Sequence, residues 1–132
     1  MSMVLGRILV VDDEEHVRKT VGLALVQGGY EVIEAENGEQ AIAIIQSPPN
    51  GAAVHAVICD IGLPTISGRD VISFVRAKLP SVPIIVLTGQ PDVQGAASLF
   101  KQGVVDYLLK PAQAQTLLDS VRRAIGEQAL LG

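Results

Sequence analysis

The chain has 132 residues, with 10 Lys and Arg against 14 Asp and Glu, a net charge of −4, and 48% apolar residues. That is one domain's worth of sequence, too apolar and too weakly charged for a disordered chain, and its acidic balance argues against direct nucleic-acid binding. With no Trp and two each of Tyr and Phe, Val, Ile, Leu and Ala must fill the core, and one cysteine, Cys59, excludes an internal disulfide or a multi-cysteine metal site. The single thiol fits a reducing cytoplasm. No apolar run reaches the ~18 residues of a membrane span, so membrane insertion is not expected. The opening stretch, cut at Arg7, is too short for a signal peptide. The expectation is a single cytoplasmic domain over residues 1–132 with a core of about 7–126.

Short aliphatic runs alternate with helical patterns. Ile8-Leu9-Val10-Val11 reads as a strand buried on both faces. Val17, Val21, Ala24 and Leu25 follow helical spacing, stopped by Gly28-Gly29. Val32-Ile33 predicts a short second strand. Asn37 and Gln40 form a capping-box pattern ahead of a helix with Ile44-Ile45 inward. Ser47-Pro48-Pro49-Asn50-Gly51 reads as a loop, and Ala56 to Cys59 as the third strand. Beyond Gly62, Pro64 and Gly68 comes a helix with Val71, Ile72 and Val75 inward. Ile84 to Leu87 is the fourth strand. Val93 to Gln102 is a weaker helix, because Gly95 costs about 1 kcal/mol relative to Ala. Tyr107-Leu108-Leu109 is the fifth strand, and Leu117, Leu118, Val121, Ala124 and Ile125 mark the last helix. Five strand–helix units imply an α/β fold, a doubly wound parallel sheet with helices on both faces and right-handed crossovers. Ligands bind such sheets outside the carboxyl ends of the strands.

At that edge the first strand delivers Asp12-Asp13-Glu14-Glu15, the third Asp60, the fourth Thr88 and the fifth Lys110-Pro111. Taken singly, each has an ordinary reading as a cap, a turn former or a solvated end. Together they are aimed at one crevice. Three crowded carboxylates would repel unless some took up protons or a cation joined them. With no His or other soft ligand beside them, all-oxygen coordination suits Mg²⁺. A lysine and a hydroxyl beside such a cluster can neutralise and bind phosphoryl oxygens, leaving a carboxylate free as nucleophile.

This ordered set resembles the response-regulator receiver domains of two-component signalling, over nearly the whole chain from Ile8 to about Ile125. The likeness rests on Asp12-Asp13, Asp60-Ile61-Gly62-Leu63-Pro64 with Gly68, Thr88-Gly89, Gly103, Tyr107 and Lys110-Pro111. It implies a flavodoxin-like five-stranded sheet of order 2-1-3-4-5, and Asp60 as acceptor of a phosphoryl group from a phosphohistidine on a histidine kinase or phosphotransfer protein. Asp12, Asp13, Asp60 and the backbone carbonyl of Gly62 would surround Mg²⁺. Thr88 and Lys110 would bind the phosphoryl group, the Lys110–Pro111 bond is expected to be cis, and Thr88 and Tyr107 would form the switch. A downstream effector protein or domain would read the surface of the fourth helix, fifth strand and last helix. A homodimer through that surface is one assembly the resemblance allows.

The chain departs from the family pattern at Gly62, where a polar side chain is usual and none is present to order or obstruct an attacking water. Leu63 stands where Met is common, Gly89 replaces a small Ala, and Ser47 to Val54 is longer than typical. Cys59, Phe74 and Phe100 read as packing. His16, near the pocket mouth, and His55 are isolated. Arg122-Arg123 and Glu31, Glu34, Glu36 and Glu39 read as solvated, and Tyr107 as an exposed edge aromatic with a switch role. Three other readings compete. A small Mg²⁺-dependent aspartyl-phosphate phosphohydrolase would want a second Asp two positions after the nucleophile, where Gly62 stands. A receiver-like module that takes no phosphate would not need the complete pocket set. A flavin-binding domain would meet repulsion at Asp12-Asp13-Glu14-Glu15. The favoured reading is a signalling switch, not a turnover enzyme.

Overall fold

The computed structural model describes residues 4–47, 54–90 and 92–131. The three most aliphatic runs lie side by side at its centre: β1 (Arg7–Val11), β3 (Ala56–Cys59) and β4 (Ile84–Thr88). With β2 (Glu31–Ala35) and β5 (Val104–Leu109) at the edges they form one parallel sheet of order β2-β1-β3-β4-β5. A strand covered on both faces gains from apolar side chains at every position, which is why these runs do not alternate.

The alternating side chains divide into two cores. Leu9, Val11, Val57, Cys59, Ile84 and Val86 face α2 (Gly38–Gln46), α3 (Gly68–Lys78) and α4 (Val93–Lys101), meeting Ile45, Val71, Ile72, Val75 and Leu99. Ile8, Val10, Ala56, Ile58, Ile85 and Leu87 face α1 (Glu15–Gln27) and α5 (Ala114–Leu131), meeting Val21, Leu25, Leu117, Val121 and Ala124. Each fully buried Val, Leu or Ile contributes roughly 1.5–3 kcal/mol.

The edge strands run longer than their apolar residues suggest. β2 extends over Glu31 and Glu34, whose carboxylates pair with Arg7 and with Arg18 and Lys19. β5 begins at Val104, and its register against β4 skips Val105 in a bulge beside Ile84. Asn37 caps α2 by accepting from the Gln40 N–H at 2.8 Å. Gln40 reaches back to the Glu36 N–H, one residue short of the usual box partner. Two side chains differ from expectation. Tyr107 is half-buried against the α3–α4 core, and Phe100 is 48% exposed because Leu99 takes the inward position of α4. The loop begun at Ser47, and with it most of the long Ser47–Val54 stretch, lies outside the described residues. Among the described residues no helix is long and apolar enough to cross a membrane.

Candidate functional site

Parallel strands of nearly equal length bring their last residues to one rim. β1 is followed by Asp12, 2% exposed, and β3 by Asp60, 6% exposed, with the Asp60 N–H donating to Val11 O at 2.9 Å. Asp13, the next residue, is exposed. Asp12 Oδ1 accepts from the Glu14 N–H at 2.9 Å, so this carboxylate also shapes the turn into α1. Asp60 Oδ1 accepts from the Gly62 N–H at 2.8 Å. Beyond β5, the Lys110 N–H donates to Thr88 O at 2.8 Å, and the Lys110–Pro111 peptide is cis.

Lys110 ties these groups together. Its Nζ lies 2.8 Å from Asp12 Oδ2, 2.9 Å from Asp60 Oδ2 and 3.0 Å from Glu14 Oε1. Burial pulls the ammonium pKa down, but contact with the three carboxylates outweighs it and leaves the pKa raised, so Lys110 stays charged. Asp12 is shifted up by burial, and the opposing pull of Lys110 and the Glu14 N–H does not cancel it. Glu14 is held below its ordinary range by Lys110.

One ammonium does not balance the acids present. Carboxylate oxygens of Asp12, Asp13, Glu14 and Asp60 lie within 4.8 Å of one another. Asp12 Oδ2 is buried and, although close to Lys110, has no donor aligned for a hydrogen bond. A hard cation would satisfy that oxygen and offset the excess charge, and an all-oxygen donor set suits one. The residues fit such a group.

The rim opens into a cleft of about 660 Å³ bordered by Asp13, Asp60, Arg69, Thr88, Asp92 and Lys110. Thr88, 3% exposed, accepts the Gln90 N–H at 3.2 Å through its hydroxyl. Tyr107 stands back from the carboxylates, its hydroxyl accepting from the Asp92 N–H at 3.4 Å. A second, more apolar hollow of about 350 Å³ lies beside Glu14, between Val17 and Val21 of α1 and Pro111.

A family model described as the response regulator receiver domain matches residues 8–122. The chain belongs to this family. The response regulator protein FleR of Pseudomonas aeruginosa is 30% identical over 123 residues, covering 92% of this chain and 25% of that protein. A receiver-domain crystal structure from Clostridium thermocellum matches with a TM-score of 0.89 and 32% identity, covering 97% of this chain and 100% of that one. A CheY-like receiver from Methanospirillum hungatei matches with a TM-score of 0.89 and 26% identity, covering 97% and 99%. The chain spans a quarter to about half the length of the first curated relatives it matches.

In this receiver domain Asp12, Asp13, Asp60 and Lys110 meet at one point, while Thr88 borders the same cleft and Tyr107 lies behind it. Glu14 shows in the sequence only as part of the acidic run after β1, and Arg69 and Asp92 carry no site signature there. Glu14 stands next to Asp13, but its pairing with a lysine 96 positions away has no local signature. Arg69 follows the glycine that packs on Asp60, and Asp92 is the N-cap of α4. Cys59 is buried beneath the site with its thiol pKa raised by burial, an inert core group.

Proposed function

We propose that this receiver is a phosphorylation-driven switch whose phosphoacceptor is Asp60. The donor is a phosphohistidine on a sensor kinase or phosphotransfer protein. The observation that carries the reading is the Lys110 ammonium 2.9 Å from Asp60 Oδ2, inside a cluster of carboxylates that includes Asp12 and Asp13. An Asp60 oxygen attacks phosphorus, the P–N bond breaks, its electron pair stays on the imidazole nitrogen, and an acyl phosphate remains on Asp60. Asp12, Asp13, Asp60 and the Gly62 carbonyl would hold Mg²⁺, which when bound neutralises phosphoryl oxygens. Lys110 follows the new charge onto a phosphoryl oxygen. The Thr88 hydroxyl exchanges its Gln90 contact for another such oxygen, and Tyr107 turns further inward.

The α4-β5-α5 face then differs between the two states, and a downstream partner or effector domain reads that difference. A homodimer through the same face is one way to use it. The hollow beside Val17, Val21 and Pro111 gives a donor protein an apolar foothold next to the acidic rim. The reading places the protein in the cytoplasm, as a substrate in its own phosphorylation and not a turnover enzyme. Incubation with a labelled phosphohistidine protein and Mg²⁺ tests it. Label transfers to the wild-type chain and is lost in Asp60→Asn, whereas uptake by Asp60→Asn at the wild-type rate overturns the assignment.

A further inference from the structure

Two residues on the walls of the cleft have no part in this scheme. Arg69 lies in the first turn of α3 on one side, and Asp92 precedes α4 on the other. Gly68 presses so closely on the Asp60 carbonyl and the Ile61 backbone that a Cβ there would overlap both. The first turn of α3 therefore rests on the phosphoacceptor loop, and Arg69 emerges at the rim. Its guanidinium reaches across to Asp92, Nη2 lying 3.7 Å from Oδ2, through space that a Cβ on Gly95 would fill.

Asp92 holds α4 in place by two polar contacts. Its Oδ1 accepts from the Gly95 N–H at 3.0 Å, and its own N–H donates to the Tyr107 hydroxyl at 3.4 Å. Arg69 braces this cap only weakly, since both side chains are exposed, Arg69 by 40% and Asp92 by 56%. At position 62 no side chain intervenes on the α3 side of Asp60. A Cβ on Gly62 would meet only Asp60 Oδ1, at 3.4 Å. An acyl phosphate brings nearly two negative charges and a set of acceptors matched to a planar guanidinium, a stronger partner than one exposed carboxylate.

We propose that Arg69 is a second phosphoryl-binding cation, facing Lys110 across the cleft. When Asp60 is phosphorylated, its guanidinium leaves Asp92 for the phosphoryl oxygens, and the cap of α4 loses its brace. The inference rests on Asp60 being the phosphoacceptor. It gives this chain a second connection, besides Thr88 and Tyr107, from the site to α4.

Calorimetric titration of the whole chain with beryllofluoride, a phosphoryl mimic, in saturating Mg²⁺ tests it, with Mg²⁺ titrated alone as the control. Arg69→Gln weakens beryllofluoride binding about tenfold and leaves Mg²⁺ affinity within about twofold, and Arg69→Lys recovers part of the loss because an ammonium cannot bind in two-pronged fashion. Deuterium exchange at the Gly95 amide rises on adding beryllofluoride to the wild type. In Arg69→Gln it starts higher and rises by less, through Thr88 and Tyr107 alone. Wild-type beryllofluoride affinity in Arg69→Gln, or a parallel loss of Mg²⁺ affinity, overturns the role of Arg69 alone. Failure of the wild type to bind beryllofluoride, or equal binding by Asp60→Asn, overturns the phosphoacceptor reading itself.

Discussion

Helices α5 and α4 flank the same edge strand, yet they are fastened by different means. α5 buries Leu117, Val121 and Ala124 in the core it shares with α1. It is tied to β5 besides, by Ser120 Oγ donating to Asp106 Oδ2 at 2.6 Å and Arg123 pairing with the same oxygen at 3.1 Å. Among the described residues, α4 fully buries only Leu99, and Phe100 faces outward. The start of α4 hangs on the Asp92 cap, which stands at the wall of the charged cleft. An apolar anchor does not respond to a new charge at the rim, because burial is non-directional. A polar cap within reach of that charge does. α5 is thus the fixed support of β5, and α4 the element whose footing a charge added to the cleft would alter.

The contrast is tested first where the expected effect is largest. Leu117→Ala removes a side chain that is 1% exposed and leaves a cavity between α5 and the sheet. It costs about 2–5 kcal/mol of global stability, measured by urea unfolding. A loss well under 1 kcal/mol would mean that α5 is not the anchor described. Asp92→Ala comes next. Removing an N-cap carboxylate costs about 1 kcal/mol, and the loss belongs to α4. The Gly95 and Ala96 amides exchange about fivefold faster while those of α5 keep their rates. Equal acceleration in both helices would break the distinction between them.

The central strands were legible in sequence because β1, β3 and β4 are buried on both faces, so their hydrophobic runs are unbroken and end cleanly at Asp12, Asp60 and Thr88. The edge strands were legible only in their apolar middles. Glu31, Glu34 and Asp106 sit in β2 and β5 with their side chains in ion pairs, and charge at a half-solvated edge masks strand character. In α4 neighbouring Leu99 and Phe100 leave the helix phase ambiguous, and the larger ring proved to be the one facing out. Of the site, every group at a strand end was readable from order alone. The pairings of Glu14 with Lys110 and of Arg69 with Asp92 were not, because only the folded chain brings those partners near.

Gly95 gives the finest test of the comparison. Along the sequence it is only a weak point in a helix, and Ala there should gain about 1 kcal/mol of helix propensity. In the fold its missing Cβ is the space occupied by Arg69 Nη2 and the Asp92 carboxylate. Both are ends of side chains that can swing aside, so Gly95→Ala expels the guanidinium and also displaces the carboxylate that caps α4. The propensity gain is set against the displaced cap, about 1 kcal/mol, and the lost ion pair, about 0.2–1 kcal/mol, and urea unfolding shows a net change within about 1 kcal/mol. Beryllofluoride affinity separates the two effects. An Arg69 already released from Asp92 has nothing to give up on binding, so the analogue binds roughly 1.4- to fivefold more tightly. A full stability gain with unchanged beryllofluoride affinity would show that Gly95 makes room for nothing that the cleft uses, and that α4 is connected to the site through Thr88 and Tyr107 alone.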